Sequence, residues 1–356
     1  MKFFNVGALR PATDQARLAA ANDLVQRTLA RHGLLPGTDL PRSGDQSAVA
    51  RVLAGLSGTI KATPPACELP EGATFGQDKY TNAAGSRMYR TYVPASARAG
   101  ASGVVMMLHG CTQSPDDFAA GTRMNELAEE HGFIVVYPAQ SRGDNAQSCW
   151  NWFSRGDQRR GRGEPAILAG LAAQVANDHS VSRDRTFVAG LSAGAAMATI
   201  LGETYPDVFA AVGAHSGLPV GAAKDVPSAF AAMGGNILVG PASSQDGPPV
   251  RTIVFHGAAD TTVHPQNGAV IAERAQKLGK TSTIETAEHG EENGRRYTRV
   301  IVTDRAGATV VENWTIEGQG HAWSGGSARG SYADPKGPNA SREMVRFFFD
   351  APKPVN

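Results

Sequence analysis

The sequence predicts an α/β domain whose mostly parallel sheet is covered by helices on both faces. Three observations carry that prediction. From about Tyr80 onward, short β-rich runs alternate with helical segments, the pattern of successive βα units. Several of those runs are apolar without alternation, Val104-Val105-Met106-Met107-Leu108 above all, as suits strands buried on both faces. Hydrophobic residues make up 41% of the 356, enough to build a core and to exclude wholesale disorder. The length suits one large domain with an extension, or two domains, and the chain is read as an extension over residues 1–70 followed by a domain over residues 71–356.

Element by element, Leu18, Leu24, Val25 and Leu29 recur at helical spacing between Thr13 and Arg31, which predicts an amphipathic helix. Gly33 and Pro36 stop it. Residues 37–70 are rich in Gly, Pro, Ser and Thr, with one apolar patch at Val49–Leu56, and read as a linker. Strands are expected at Met88–Val93, Val104–Leu108, Ile134–Tyr137, Thr186–Leu191, Ala211–Ala214 and Thr252–Phe255. Helices are expected between them at Asp117–His131, Pro165–Asn177, Ala193–Tyr205 and Pro265–Leu278. Further on, Tyr297–Thr303 and Thr309–Ile316 flank Asp304-Arg305-Ala306-Gly307, a hairpin turn. A last helix, Ser341–Phe349, presents Met344, Val345, Phe348 and Phe349 to the core.

Charge and motifs narrow the function. Lys and Arg number 34 against 33 Asp and Glu, a net charge of +1, which argues against a broad basic surface for nucleic acid. No apolar run approaches the roughly 18–20 residues of a membrane span. There is no Walker loop, nucleotide-binding glycine fingerprint or H-E-x-x-H, and the spacing of His109, His256 and His264 is not a metal-ligand pattern. No cofactor and no metal are expected. Cys67, Cys111 and Cys149 form no C-x-x-C; three cysteines allow one bridge and one free thiol, leaving the compartment open. The Arg155, Arg159, Arg160 and Arg162 run reads as a solvated loop.

Gly190-Leu191-Ser192-Ala193-Gly194 matches G-x-S-x-G. Given 41 glycines, roughly 0.3 such matches arise by chance, so context decides. The motif ends a strand and opens a small-residue helix, the turn on which a nucleophilic serine sits strained and exposed. A nucleophilic serine needs a base and the base an orienting acid, in the chain order Ser, Asp/Glu, His. His321 lies in Gly318-Gln319-Gly320-His321-Ala322-Trp323, just after the last expected strand, and is the base candidate ahead of His256, His264 and His289. Asp260 directly follows the Thr252–Phe255 strand region and is the acid candidate, with Asp225, Asp246, Glu285 and Glu288 as weaker positional matches. The oxyanion hole is expected from the N–H of Ala193 and from the His109-Gly110-Cys111-Thr112-Gln113 loop, assigned to Cys111. Trp150, Trp152 and Trp323 flank the site in sequence, and Trp152 and Trp323 are expected to line a shallow substrate groove.

These residues resemble the poly(3-hydroxybutyrate) depolymerase-type esterases, related to feruloyl and acetylxylan esterases. The resemblance rests on the 109–113 loop, Tyr137-Pro138, Cys149-Trp150-Asn151-Trp152, the Ser192 elbow, His256-Gly257 with Asp260 and Val263, and Gly320-His321-Ala322-Trp323-Ser324-Gly325-Gly326. It covers roughly Asp78 to Asp350 and implies an α/β-hydrolase fold with Ser192, Asp260 and His321 as nucleophile, acid and base. It also implies a bridge between Cys111 and Cys149, and a short-acyl or hydroxyalkanoate ester as substrate. An extracellular or periplasmic enzyme is implied too, whereas Phe3–Leu9, stopped by Arg10, reads as a poor signal peptide, so that the protein either stays inside the cell, in the cytoplasm, or carries a new start on a mature sequence. A feruloyl or acetylxylan esterase is the alternative expectation. An acyltransferase or a non-catalytic binding module are the alternatives from other classes.

Overall fold

In the computed structural model, residues 69–238, 247, 250–279 and 282–350 are described. The expected helix at Thr13–Arg31, the Val49–Leu56 patch and almost all of the linker, the Phe3–Leu9 segment, Cys67 and Asp246 lie outside the described residues.

One sheet of ten strands organises the domain. In chain order they are β1 (Thr74–Asn82), β2 (Gly85–Val93), β3 (Val104–Leu108), β4 (Ile134–Pro138), β5 (Thr186–Leu191), β6 (Ala211–His215), β7 (Arg251–Gly257), β8 (Thr283–Glu292), β9 (Arg295–Asp304) and β10 (Thr309–Ile316). Their order across the sheet is β1-β2-β4-β3-β5-β6-β7-β10-β9-β8. From β4 to β10 every pairing is parallel, and the β1–β2 and β8–β9 hairpins add antiparallel margins. The helices are α1 (Pro115–Thr122), α2 (Met124–His131), α3 (Gly163–Asp178), α4 (Ala193–Thr204), α5 (Val226–Met233), α6 (Gln266–Leu278) and α7 (Ala340–Phe349).

Why the central strands read as unbroken apolar runs is visible in the packing. Successive side chains of a strand point to opposite faces. Val104, Met106 and Leu108 join Leu168, Leu171 and Leu201 of α3 and α4 in one core. Val105 and Met107 join Phe118, Leu127, Val345 and Phe348 of α1, α2 and α7 in the other. Both faces are covered.

Two expectations change. The single helix expected at Asp117–His131 is two, broken at Arg123, whose φ of 56° places it in the left-handed region. Strands β1 and β8 and helix α5 were not foreseen. Neither β1 nor β8 buries a residue fully, so no apolar pattern marks either strand.

The register brings one edge of the sheet into use. Leu108 pairs with Gly190, Leu191 with His215, His215 with Phe255, and Gly257 with Ile316. The segments that leave the carboxyl ends of β3, β5, β6, β7 and β10 therefore emerge side by side, where open α/β sheets place their sites.

Candidate active site

Ser192 stands between β5 and α4 with φ 57° and ψ −119°, a backbone conformation that L-residues rarely adopt. Its neighbours make the turn feasible. A Cβ on Gly190 would meet the Gly194 carbonyl carbon at 2.4 Å, and one on Gly194 would meet Leu108 O at 2.1 Å. Only glycine fits at either place, which is the physical content of G-x-S-x-G. The Ser192 N–H donates to His215 O at 2.9 Å, fastening the elbow to β6.

Asp260 lies in the turn after β7, and His321 in the loop after β10. His321 Nδ1 is 2.7 Å from Asp260 Oδ2. The other carboxylate oxygen accepts the Thr262 and Val263 N–H groups, each at 2.9 Å. Burial by itself would raise the Asp260 pKa, but the hydrogen bonds from His256 and His321 and from the Val263 N–H hold it well below the usual carboxylate range. An ionised carboxylate only accepts, so His321 carries its proton on Nδ1 and offers Nε2 as the acceptor. Backbone contacts tie the two loops together, with Ala258 N–H on Ile316 O at 2.8 Å and Ala259 N–H on Gln319 O at 2.9 Å.

The other acid candidates part from the site. Asp225 is the N-cap of α5, its side chain accepting the Ser228 N–H at 3.0 Å in a capping box. Glu285 and Glu288 sit on the exposed marginal strand β8. Of the other histidines, His264 is exposed and His289 bonds Thr298 on the same margin. His256 is different. It is buried, its Nε2 donates to Val263 O at 2.8 Å, and it lies 3.5 Å from Asp260 Oδ2, so it buttresses the turn that holds Asp260.

On the opposite side of Ser192, the loop after β3 carries Cys111, joined to Cys149 by a disulfide with Cα atoms 4.3 Å apart. The Gly110 N–H is taken by Gln113 Oε1 at 2.9 Å and the Thr112 N–H by Gln147 O at 2.8 Å. The Cys111 N–H donates to no group among the described residues. Ala193 opens α4, and the first N–H groups of a helix lack intrahelical acceptors. No hydrogen bond joins Ser192 to His321 among the described residues.

The expectation for the tryptophans needs correcting. Trp323 is 1% exposed; its indole N–H donates to Ser341 Oγ at 3.0 Å, and its ring stacks on His215 and meets Phe118 edge-on. Trp152 is 6% exposed. A buried indole with a satisfied N–H is core, as Trp323 is, and Trp152 belongs to the buried core around Leu168 and Leu171, so neither ring supplies the wall of an open groove. The surface beside Cys111 is polar instead, with Thr112 exposed and its hydroxyl 3.4 Å from that of Tyr332.

Several participants were beyond reach of motif reading. Gln113 links the β3 loop to the segment after His321, donating to Ser331 O at 2.9 Å and to Asp117 Oδ2 at 3.0 Å. Buried His215 accepts the Ser324 N–H at 3.0 Å, and burial lowers its pKa to about 3, so it is neutral. Among the described residues no group of three or more His, Cys, Asp or Glu could hold a metal ion, and no helix is long and apolar enough to cross a membrane.

Strand order, elbow and loop placement define an α/β-hydrolase fold. A solved acetyl xylan esterase from Aspergillus awamori aligns over 78% of this chain and 99% of its own, with a TM-score of 0.62 at 21% identity. Residues 87–287 match the family described as esterase PHB depolymerase, and the chain belongs to that family. The poly(3-hydroxyalkanoate) depolymerase C of Paucimonas lemoignei is 33% identical over 263 residues, which cover 71% of this chain and 61% of that protein. A probable acetylxylan esterase A of Aspergillus clavatus is 32% identical over 237 residues, 62% of this chain and 73% of that protein. The chain thus spans less than two thirds of the depolymerase it matches.

Proposed function

We propose that this protein is a serine carboxylic-ester hydrolase in which Ser192 is the nucleophile, His321 the base and Asp260 the orienting acid. The observation that carries the reading is the 2.7 Å His321–Asp260 hydrogen bond, set on the same sheet edge as a serine held at φ 57°. His321 Nε2 takes the Ser192 proton as Oγ attacks the ester carbonyl. The N–H groups of Cys111 and Ala193 receive the charge that develops on the carbonyl oxygen. His321 then returns the proton to the departing alcohol, and water releases the acyl group by the same route in reverse. A nucleophile–base contact of this kind commonly tightens when substrate aligns it.

The substrate class is an ester with a short or hydroxyalkanoyl acyl group. The depolymerase relative supports hydroxyalkanoates, and the polar Thr112–Tyr332 rim suits a chain with carbonyls along its length. The acetylxylan esterase relatives support acetylated sugar as a second reading. Hydrolysis of p-nitrophenyl acetate to dodecanoate, of acetylated and feruloylated sugars, and of soluble and solid polyhydroxybutyrate separates them. Hydroxybutyrate oligomers are expected to give the highest kcat/KM. A rate rising steadily from C4 to C12 marks a deep apolar pocket and removes this assignment. Acceptor alcohols added to the same assays show whether acyl transfer competes with water.

A further inference from the structure

Beneath the oxyanion loop lies a buried acid that the proposed reaction does not use. Glu164, in the first turn of α3, is 3% exposed. Its carboxylate accepts from Arg87 Nη2 at 3.0 Å, from the Asn151 N–H at 2.7 Å, from Asn151 Nδ2 at 2.9 Å and from Gln140 Nε2. Burial pushes its pKa up, against the pull of the Asn151 N–H and of Arg87. Buried ion pairs seldom add stability over apolar residues of the same volume, so the cluster has no evident advantage as packing alone.

What the carboxylate grips is the two ends of the 140–151 segment, and that segment grips the loop after β3. The Gln140 N–H donates to His109 Nε2 at 3.1 Å, and Gln140 Nε2 also donates to Cys149 O at 2.9 Å. Trp150 Nε1 donates to His109 O at 3.0 Å. Because His109 Nε2 accepts, the ring proton lies on Nδ1, which donates to Gly110 O at 2.7 Å. The Gly110 carbonyl and the Cys111 N–H are opposite ends of one planar peptide unit. Whatever aims that carbonyl aims the N–H.

We propose that Glu164 is a positioning residue which, through Gln140 and His109, aims the Cys111 N–H at the developing oxyanion; the inference rests on the ester-hydrolase reading above. The network would hold the donor in place before substrate arrives, which is where electrostatic catalysis gains most.

The test uses the full chain, p-nitrophenyl butyrate, and endpoint titration with a fluorophosphonate to count competent serines. Glu164→Gln removes the charge at nearly constant shape, and Gln140→Met removes only the side-chain relay. Losing one oxyanion donor costs about 10²–10³ in kcat, and misaiming one costs part of that. Each folded variant is therefore expected to lose about tenfold to a hundredfold in kcat per titrated site, with KM changed by less than about threefold. A purely structural role would lower the number of titrated sites and the Tm while kcat per site stayed. That result, or a kcat per site within threefold of wild type in Gln140→Met, overturns the proposal, and Gln140→Met decides alone if Glu164→Gln does not fold. Ser192→Ala is run alongside. Turnover by it overturns the esterase reading itself, whereas a silent Ser192→Ala beside an unaffected Gln140→Met overturns only the role of Glu164.

Discussion

Replacing Asp260 by Asn leaves shape almost untouched and changes one proton. The Thr262 and Val263 N–H groups both point at Oδ1 from 2.9 Å. They accept no donor, so the amide oxygen of Asp260→Asn must take that side. Its NH₂ is then turned toward His321 Nδ1, 2.7 Å away in the wild type. An NH₂ facing a ring nitrogen obliges that nitrogen to accept, which moves the His321 proton to Nε2 and disables the base. Losing the tautomer in this way costs about 10⁴ in kcat. The carboxylate is ionised throughout the assay range because its pKa is held far below it, so the wild-type comparison is not blurred by titration. Stability should fall by roughly 1–3 kcal/mol, since the half-buried His321 and the Thr262 and Val263 N–H groups lose a charged acceptor. The assay is kcat with p-nitrophenyl butyrate, beside Tm and fluorophosphonate titration. A folded Asp260→Asn protein within tenfold of wild-type kcat would refute the tautomer argument and reopen the choice of acid.

Ser192→Ala is expected to lose at least about 10⁴-fold in kcat while folding normally, because Ala is smaller and the turn is shaped by Gly190 and Gly194; near-normal turnover would falsify the nucleophile assignment. Removing the Cys111–Cys149 bridge, whose ends are 38 residues apart, should cost about 4 kcal/mol in the chain-entropy model, read as a lower denaturation midpoint for the double Cys→Ser variant than for the oxidised wild type; equal midpoints would contradict it. His215 titrates near 3 when folded but near 6.5 when unfolded, so between those values the unfolded chain binds the extra proton. Its contribution is complete above pH 6.5 and is lost as pH falls toward 3, at up to about 1.4 kcal/mol per pH unit. His215→Gln keeps an acceptor for the Ser324 N–H and should flatten the stability slope between pH 6.5 and 4; an unchanged slope would show that other groups set it.

Local chemistry made much of this protein legible from sequence alone. Val104–Leu108 and Thr186–Leu191 appear in the fold with the bounds that their apolar runs announced, because a strand buried on both faces carries its signal in every residue. The Ser192 elbow was equally open to reading, since the glycines that relieve its crowding stand two residues away. The marginal strands were not, because Thr74–Asn82 and Thr283–Glu292 bury no residue fully. Asp260 could be preferred over Asp225 by position, but only the folded chain shows one carboxylate facing His321 and the other capping a helix. The tryptophans reverse their meaning for the same reason. Beside His321 in sequence, Trp323 turns inward to Ser341 and Phe118, over contacts that no spacing encodes. Glu164 lies 53 residues after Cys111 and still meets Gln140, Asn151 and Arg87, a set drawn together by the sheet. Sequence determines which residues can be apolar, strained or ionisable; tertiary structure alone decides which of them share a hydrogen bond, because that depends on distances between segments far apart along the chain.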